Sequence, residues 1–234
     1  PLLFALVAAG GNVVGALVVV RHLRRGIRVI DTFLAFGAGF MLATVILGML
    51  PEVFASPGGA FYVLGGYLAV HLAQHVLTPH FHFGEETHRV SASAGATALA
   101  GLSLHTFFDG VAIASGFLVS GRLGLLLFFA VFLHKLPEGV TIASLVLAGG
   151  QSARRAVLAA LALGLATVLG VALTDVVQPL AHHGLAISAG VTLYVAASDL
   201  VPEFQAKRGG STAIAFFGGA AGFLVTQLLL ARWP

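Results

Sequence analysis

Eight times in this chain, about 20 consecutive positions carry almost nothing but apolar side chains, which is the length a helix needs to cross a bilayer. The runs fall at roughly 2–20, 31–54, 59–79, 91–119, 122–148, 154–177, 184–203 and 211–232. They are continuous, not alternating, so the strands of a membrane β-barrel are excluded. Only 12 Lys and Arg and 9 Asp and Glu are spread over 234 residues, and 58% of the chain is hydrophobic. That is too little polar surface to clothe a soluble enzyme, and too much apolar surface for a disordered chain. The net charge of +3 comes from a small count and forms no basic patch, so nucleic-acid binding is excluded. With no cysteine there is no disulfide frame and no thiolate metal site. The expectation is an all-α integral membrane protein, with residues 1–234 forming a single transmembrane domain of eight helices.

Orientation follows from the basic residues between spans. The connections after spans 1, 3, 5 and 7 hold Arg21, Arg24, Arg25, Arg28, Arg89, Arg154, Arg155, Lys207 and Arg208, against Arg122 and Arg232 on the other side. This asymmetry puts both termini outside and the odd-numbered connections in the cytoplasm. The first span is followed by arginines and no small-residue cleavage site, so it reads as a transmembrane helix and not a leader. Arginine outnumbers lysine ten to two, and alanine is abundant. This bias points to a GC-rich bacterial source and hence to the inner membrane.

Two internal repeats are legible. His105-Thr106-Phe107-Phe108-Asp109-Gly110-Val111 in span 4 aligns with His134-Lys135-Leu136-Pro137-Glu138-Gly139-Val140 in span 5, at an offset of 29 residues. In spans 2 and 7, Gly39 to Glu52 and Gly190 to Glu203 share the same glycine-to-glutamate spacing and the endings Leu-Pro-Glu and Val-Pro-Glu. Since span 2 runs outward and span 7 inward, the match predicts an inverted repeat, spans 1–3 and 6–8, around the central pair 4 and 5. Secondary transporters are often built this way, with the substrate site near the midplane.

The central spans carry the chemistry. Ionisable groups cost several kcal/mol at mid-bilayer, about 2.5–3.5 for Asp or Lys on insertion scales. Span 4 nevertheless places His105 and Asp109 at i and i+4, on one helix face, and span 5 does the same with His134 and Glu138. Two imidazoles and two carboxylates at one depth suit a borderline divalent cation: zinc first, with iron, manganese, cobalt or cadmium also accepted. Lys135 beside them is expected to pair with Asp109, Glu138 or Asp199 and to fill a place a second metal could take. Pro137 cannot donate to the carbonyl of Leu133, which predicts a locally opened helix.

On these motifs the chain resembles the ZIP family of divalent metal transporters. The signatures are His105-Thr106-Phe107-Phe108-Asp109-Gly110 in span 4 and His134-Lys135-Leu136-Pro137-Glu138-Gly139 in span 5, and the resemblance covers nearly the whole chain. It implies that His105, Asp109, His134 and Glu138 carry the transport site and that metal moves toward the cytoplasm. It also brings in an elevator-like movement of spans 1, 4, 5 and 6 against 2, 3, 7 and 8, proposed for relatives. Thr106 stands where the family commonly has Asn, Lys135 where an acid commonly helps bind a second metal, and Ser198 where some members have Glu. These departures predict a single-metal site.

Other polar residues are accessory candidates. His71 and His75 lie at i and i+4 in span 3. His80, His82 and His88 lie in a cytoplasmic loop over 80–90. Glu52, Asp199 and Glu203 lie near span ends, and His182 and His183 between spans 6 and 7. Asn12 and Gln227 read as interhelical hydrogen-bonding groups. No phosphate-binding glycine loop is present, so direct ATP use is not expected. The substrate and partners read as the divalent ion and the lipid bilayer, with a homodimer as the protein assembly to consider and no prosthetic group. From another class, the competing reading is an intramembrane metal-dependent hydrolase, which would keep an open coordination position for water.

Overall fold

The structure is a computed structural model describing residues 1–22, 27–74, 92–202 and 210–231, with the side chains of 22, 27–30 and 92–98 excepted. Every regular element among them is helical. In chain order they are α1 (Leu2–His22), α2 (Ile27–Ala43, a π-helical turn Thr44–Met49, then Leu50–Phe54), α3 (Gly59–Leu72), α4 (Ala92–Val119), α5 (Gly121–Ala148), α6 (Ala153–Thr174), α7 (Gln178–Tyr194, then a π-helical turn Val195–Leu200) and α8 (Gly210–Leu230). Seven are long and apolar enough to cross a membrane, and α3 is a shorter apolar helix. This is the eight-helix integral membrane fold expected from the apolar runs. The part of the third run beyond Gln74 lies outside the described residues.

The connections are short because their residues stop helices cleanly. Only Ser120 separates α4 from α5, and its hydroxyl accepts from the N–H of Leu123 at 3.1 Å. Ser152 caps α6 the same way. Gly150, with φ of 76°, makes the left-handed turn ahead of it. One expectation is corrected here: His182 and His183 do not lie between spans 6 and 7 but within α7. Pro179, in the first turn, suits a helix start, and α7 begins at Gln178. His183 then stacks on Tyr62 of α3, with ring centroids 3.9 Å apart.

Helix packing obeys the repeat. A four-helix bundle forms from α1, α4, α5 and α6, in which α1 lies on α5 as α6 lies on α4. Outside it, α2 packs on α8 as α3 packs on α7, and α2 and α7 lean on α5 and α4. Exchanging 1 with 6, 2 with 7, 3 with 8 and 4 with 5 leaves the pattern unchanged. Glycines make the equivalent crossings. Gly139 meets the backbone of Asn12 and Gly110 that of Thr167, while Gly39 meets Phe216 and Gly190 meets Val63. Lipid provides no hydrophobic drive between helices, so such close backbone approach carries the association. The π-helical turns agree as well. Thr44–Met49 and Val195–Leu200 are 151 residues apart, as are Gly39 and Gly190. Each precedes a proline, Pro51 or Pro202, whose ring would strike the carbonyl four residues back in a regular helix.

The crossings give a stability prediction. Any side chain at Gly190 meets the backbone of Val63, whereas Gly65 has open space. Gly190→Val is expected to destabilise the protein by about 1–3 kcal/mol. Gly65→Val should stay within about 0.5 kcal/mol of the parent, with both read by thermal unfolding in detergent.

Candidate metal site

The i, i+4 spacing does in three dimensions what it promised along the chain. On α4, His105 and Asp109 face α5, where His134, Lys135 and Glu138 face back. All five side chains are buried, Lys135 completely. One nitrogen or oxygen from each of His105, Asp109, His134 and Glu138 lies within 4.8 Å of the others, and this is the group able to hold a metal ion among the described residues.

The distances suit a small cation. Tetrahedral zinc holds its ligand atoms about 3.3 Å apart. Here His134 Nε2 is 3.2 Å from Asp109 Oδ2, and His105 Nε2 is 3.8 Å from the same oxygen and 3.9 Å from Glu138 Oε1. These three separations lie within about 0.6 Å of that spacing, and the four ligand atoms as a set lie within 4.8 Å of one another. His134 is oriented from behind, since its Nδ1 donates to the carbonyl of Ala130 at 2.9 Å. That bond fixes the proton on Nδ1 and turns Nε2 toward Asp109, as in many metal-binding histidines. His105 is more telling. It is buried, and neither ring nitrogen has a hydrogen-bond partner. An imidazole left this way, with Nε2 aimed between two carboxylates, matches a group that a cation would satisfy.

Two further donors complete the cluster. Lys135 Nζ donates to Asp109 Oδ2 at 2.7 Å and to Glu138 Oε2 at 2.6 Å. Of its three proposed partners it therefore takes two. The third, Asp199, instead accepts from Gln74 at 3.0 Å. Thr106, fully buried, donates to Glu138 Oε1 at 2.5 Å. Sequence reasoning marked Thr106 only as a departure from a motif. Its place next to His105 was the available signal, because a hydroxyl there can reach across to α5.

Among the described residues, the accessory candidates do not join this group. His71, on α3, lies edge-on to Tyr194 with centroids 5.9 Å apart. Asp199 sits at the α3–α7 contact, beside the Tyr67–Ser198 hydroxyl pair at 3.1 Å. Glu52 is exposed in the first turn after Met49. His75, His80, His82, His88 and Glu203, with the loop over 80–90, lie outside the described residues. The expected interhelical bond of Asn12 is absent. Its side chain is fully buried, yet neither amide atom has a hydrogen-bond partner among the described residues.

Comparison with known proteins agrees with this geometry. The family model described as ZIP Zinc transporter matches residues 84–230, which include all four candidate ligands. The chain is 35% identical to zinc transporter ZIP6 of Homo sapiens over 136 residues, 53% of this chain and 18% of that protein. It is 37% identical to zinc transporter ZIP4 of Homo sapiens over 111 residues, 46% of this chain and 17% of that one. Against zinc transporter ZIP13 of Pongo abelii the identity is 27% over 187 residues, 73% of this chain and 57% of the relative. The chain thus spans less than two thirds of the length of each of these relatives. The matched span, the two motifs it contains and the helical membrane fold lead to one assignment: the chain belongs to the ZIP zinc-transporter family.

Proposed function

We propose that this protein carries a divalent transition-metal ion, zinc first among them, across the membrane into the cytoplasm by way of His105, Asp109, His134 and Glu138. The observation that carries the reading is the convergence of four ligand atoms from the two central helices, within 4.8 Å, in the interior of a membrane bundle. Two carboxylates offset the charge of one M²⁺, which is what makes passage through a low-dielectric interior affordable. Iron, manganese, cobalt and cadmium accept the same donors, so selectivity among them is graded and not absolute. The basic residues of the odd-numbered connections support placing both termini outside, and the excess of arginine over lysine supports a bacterial inner membrane.

The site holds one ion. Lys135 and Thr106 already occupy oxygens of Asp109 and Glu138 that a second metal would need. The same filling disfavours the hydrolase reading, which calls for an open position and a nearby base for water.

Purified protein in liposomes, with ⁶⁵Zn²⁺ outside, tests the whole reading. Saturable entry without ATP, and one zinc bound per chain by equilibrium dialysis, are the expected results. Tight binding without entry would turn the reading toward a structural or hydrolytic metal. Two ions per chain would remove the single-site assignment.

A further inference from the structure

Fixed charge inside the α1, α4, α5, α6 bundle reduces to three side chains. Asp109, Lys135 and Glu138 are buried, whereas Arg21, Arg122, Arg154, Arg155 and Asp175 are exposed at or beside helix ends. No other Asp, Glu, Lys or Arg lies among the described residues of these four helices.

Lys135 and one metal ion can share this pair of carboxylates. The ammonium stands 2.7 Å from Asp109 Oδ2 and 2.6 Å from Glu138 Oε2. The other oxygen of Glu138, Oε1, is the one that faces His105 Nε2 at 3.9 Å. A carboxylate has two acceptor oxygens, so an ammonium on one leaves the other for a ligand bond. Ligand chemistry then fixes the remaining charges, because carboxylates bind a metal ionised and imidazoles bind it neutral. Two carboxylates cancel one divalent ion, and the ammonium of Lys135 stands as a single uncancelled positive charge. Lys135 is completely buried, so salt and water screen that charge little.

Resting on the metal-carrying reading of the site, we propose that Lys135 gives the zinc-loaded site one net positive charge and so couples zinc entry to the membrane potential. A potential negative inside pulls the loaded site toward the cytoplasm. With a neutral side chain at position 135 the loaded site would carry no net charge, and its movement would be indifferent to the potential. Lys135 keeps its place on both carboxylates throughout, so the same ammonium that excludes a second ion makes the passage of the first one voltage-driven.

Exchange of ⁶⁵Zn²⁺ across liposomes with equal, saturating zinc on both sides isolates the loaded site, and potassium gradients with valinomycin set the potential. In the parent, 100 mV of either sign should slow exchange by about two- to fourfold, because a singly charged loaded site gathers on one side. Both signs act alike, so the direction of insertion does not matter. Lys135→Arg keeps the charge and should keep this dependence. Lys135→Met should exchange independently of potential where equilibrium dialysis finds one zinc per chain, and more steeply than the parent where it finds two. Exchange independent of potential in the parent, a measurement that needs no variant to fold, would overturn the proposal. So would the parent's dependence persisting in Lys135→Met, or exchange that rises steadily as the inside becomes negative, the mark of an ion crossing a fixed path. Absence of saturable ⁶⁵Zn²⁺ entry by the parent would instead count against the reading of the site itself.

Discussion

His134→Ala and Glu138→Ala are each expected to cut the initial rate of zinc entry into liposomes by about 10²–10³-fold, with the protein still folded and inserted. The magnitude follows from the site. Each substitution removes one of four converging ligand atoms and leaves charged neighbours in the interior without their partner. His134→Ala strips Asp109 of its 3.2 Å contact, and Glu138→Ala strips both Lys135 and Thr106 of theirs. Breaking a buried charged pair costs about 3–5 kcal/mol, and each 1.4 kcal/mol is about tenfold in an equilibrium. Initial rates of ⁶⁵Zn²⁺ uptake, normalised to inserted protein, check it. A loss of less than about threefold in either variant would remove that residue from the transport site.

The second large effect falls on stability and has the opposite dependence on metal. Lys135 is the cation that holds Asp109 and Glu138 together, at 2.7 and 2.6 Å and with no solvent exposure. Lys135→Ala leaves two buried carboxylates facing each other. The zinc-free variant is expected to be less stable than the parent by about 3–5 kcal/mol. Added zinc supplies the missing positive charge and should restore most of that loss, since a ligand bound only by the folded state stabilises it in proportion to ln(1 + [L]/Kd). Thermal unfolding with and without zinc measures both parts. If stability, zinc stoichiometry and zinc affinity all match the parent, Lys135 has no role in the site.

Much of this protein was legible before folding, for a local reason. A membrane span must satisfy its backbone within itself and present apolar side chains to lipid, so each helix is marked by its own run of about 20 residues. The same cost makes any ionisable residue inside a run conspicuous. His105, Asp109, His134 and Glu138 therefore stood out, and the helical period alone put each pair on one face. The match between spans 2 and 7 was visible too, and the structure adds the paired π-helical turns and the symmetric crossings at Gly39 and Gly190.

What only the tertiary structure decided depends on which helices touch. Three carboxylates were open to Lys135. Glu138 lies three residues on along the same helix, packing of α4 on α5 added Asp109, and the α3–α7 contact gave Asp199 to Gln74. Thr106 became a donor to Glu138 because the two central helices approach within reach of a short hydroxyl. Asn12 looked like an ordinary interhelical hydrogen bond, yet close approach at Gly139 brings α5 onto its backbone, and its amide has no hydrogen-bond partner among the described residues. Span periodicity reports the face a residue shares within its own helix. Partners on another helix are set by glycine crossings far apart in the chain, and no local pattern encodes those.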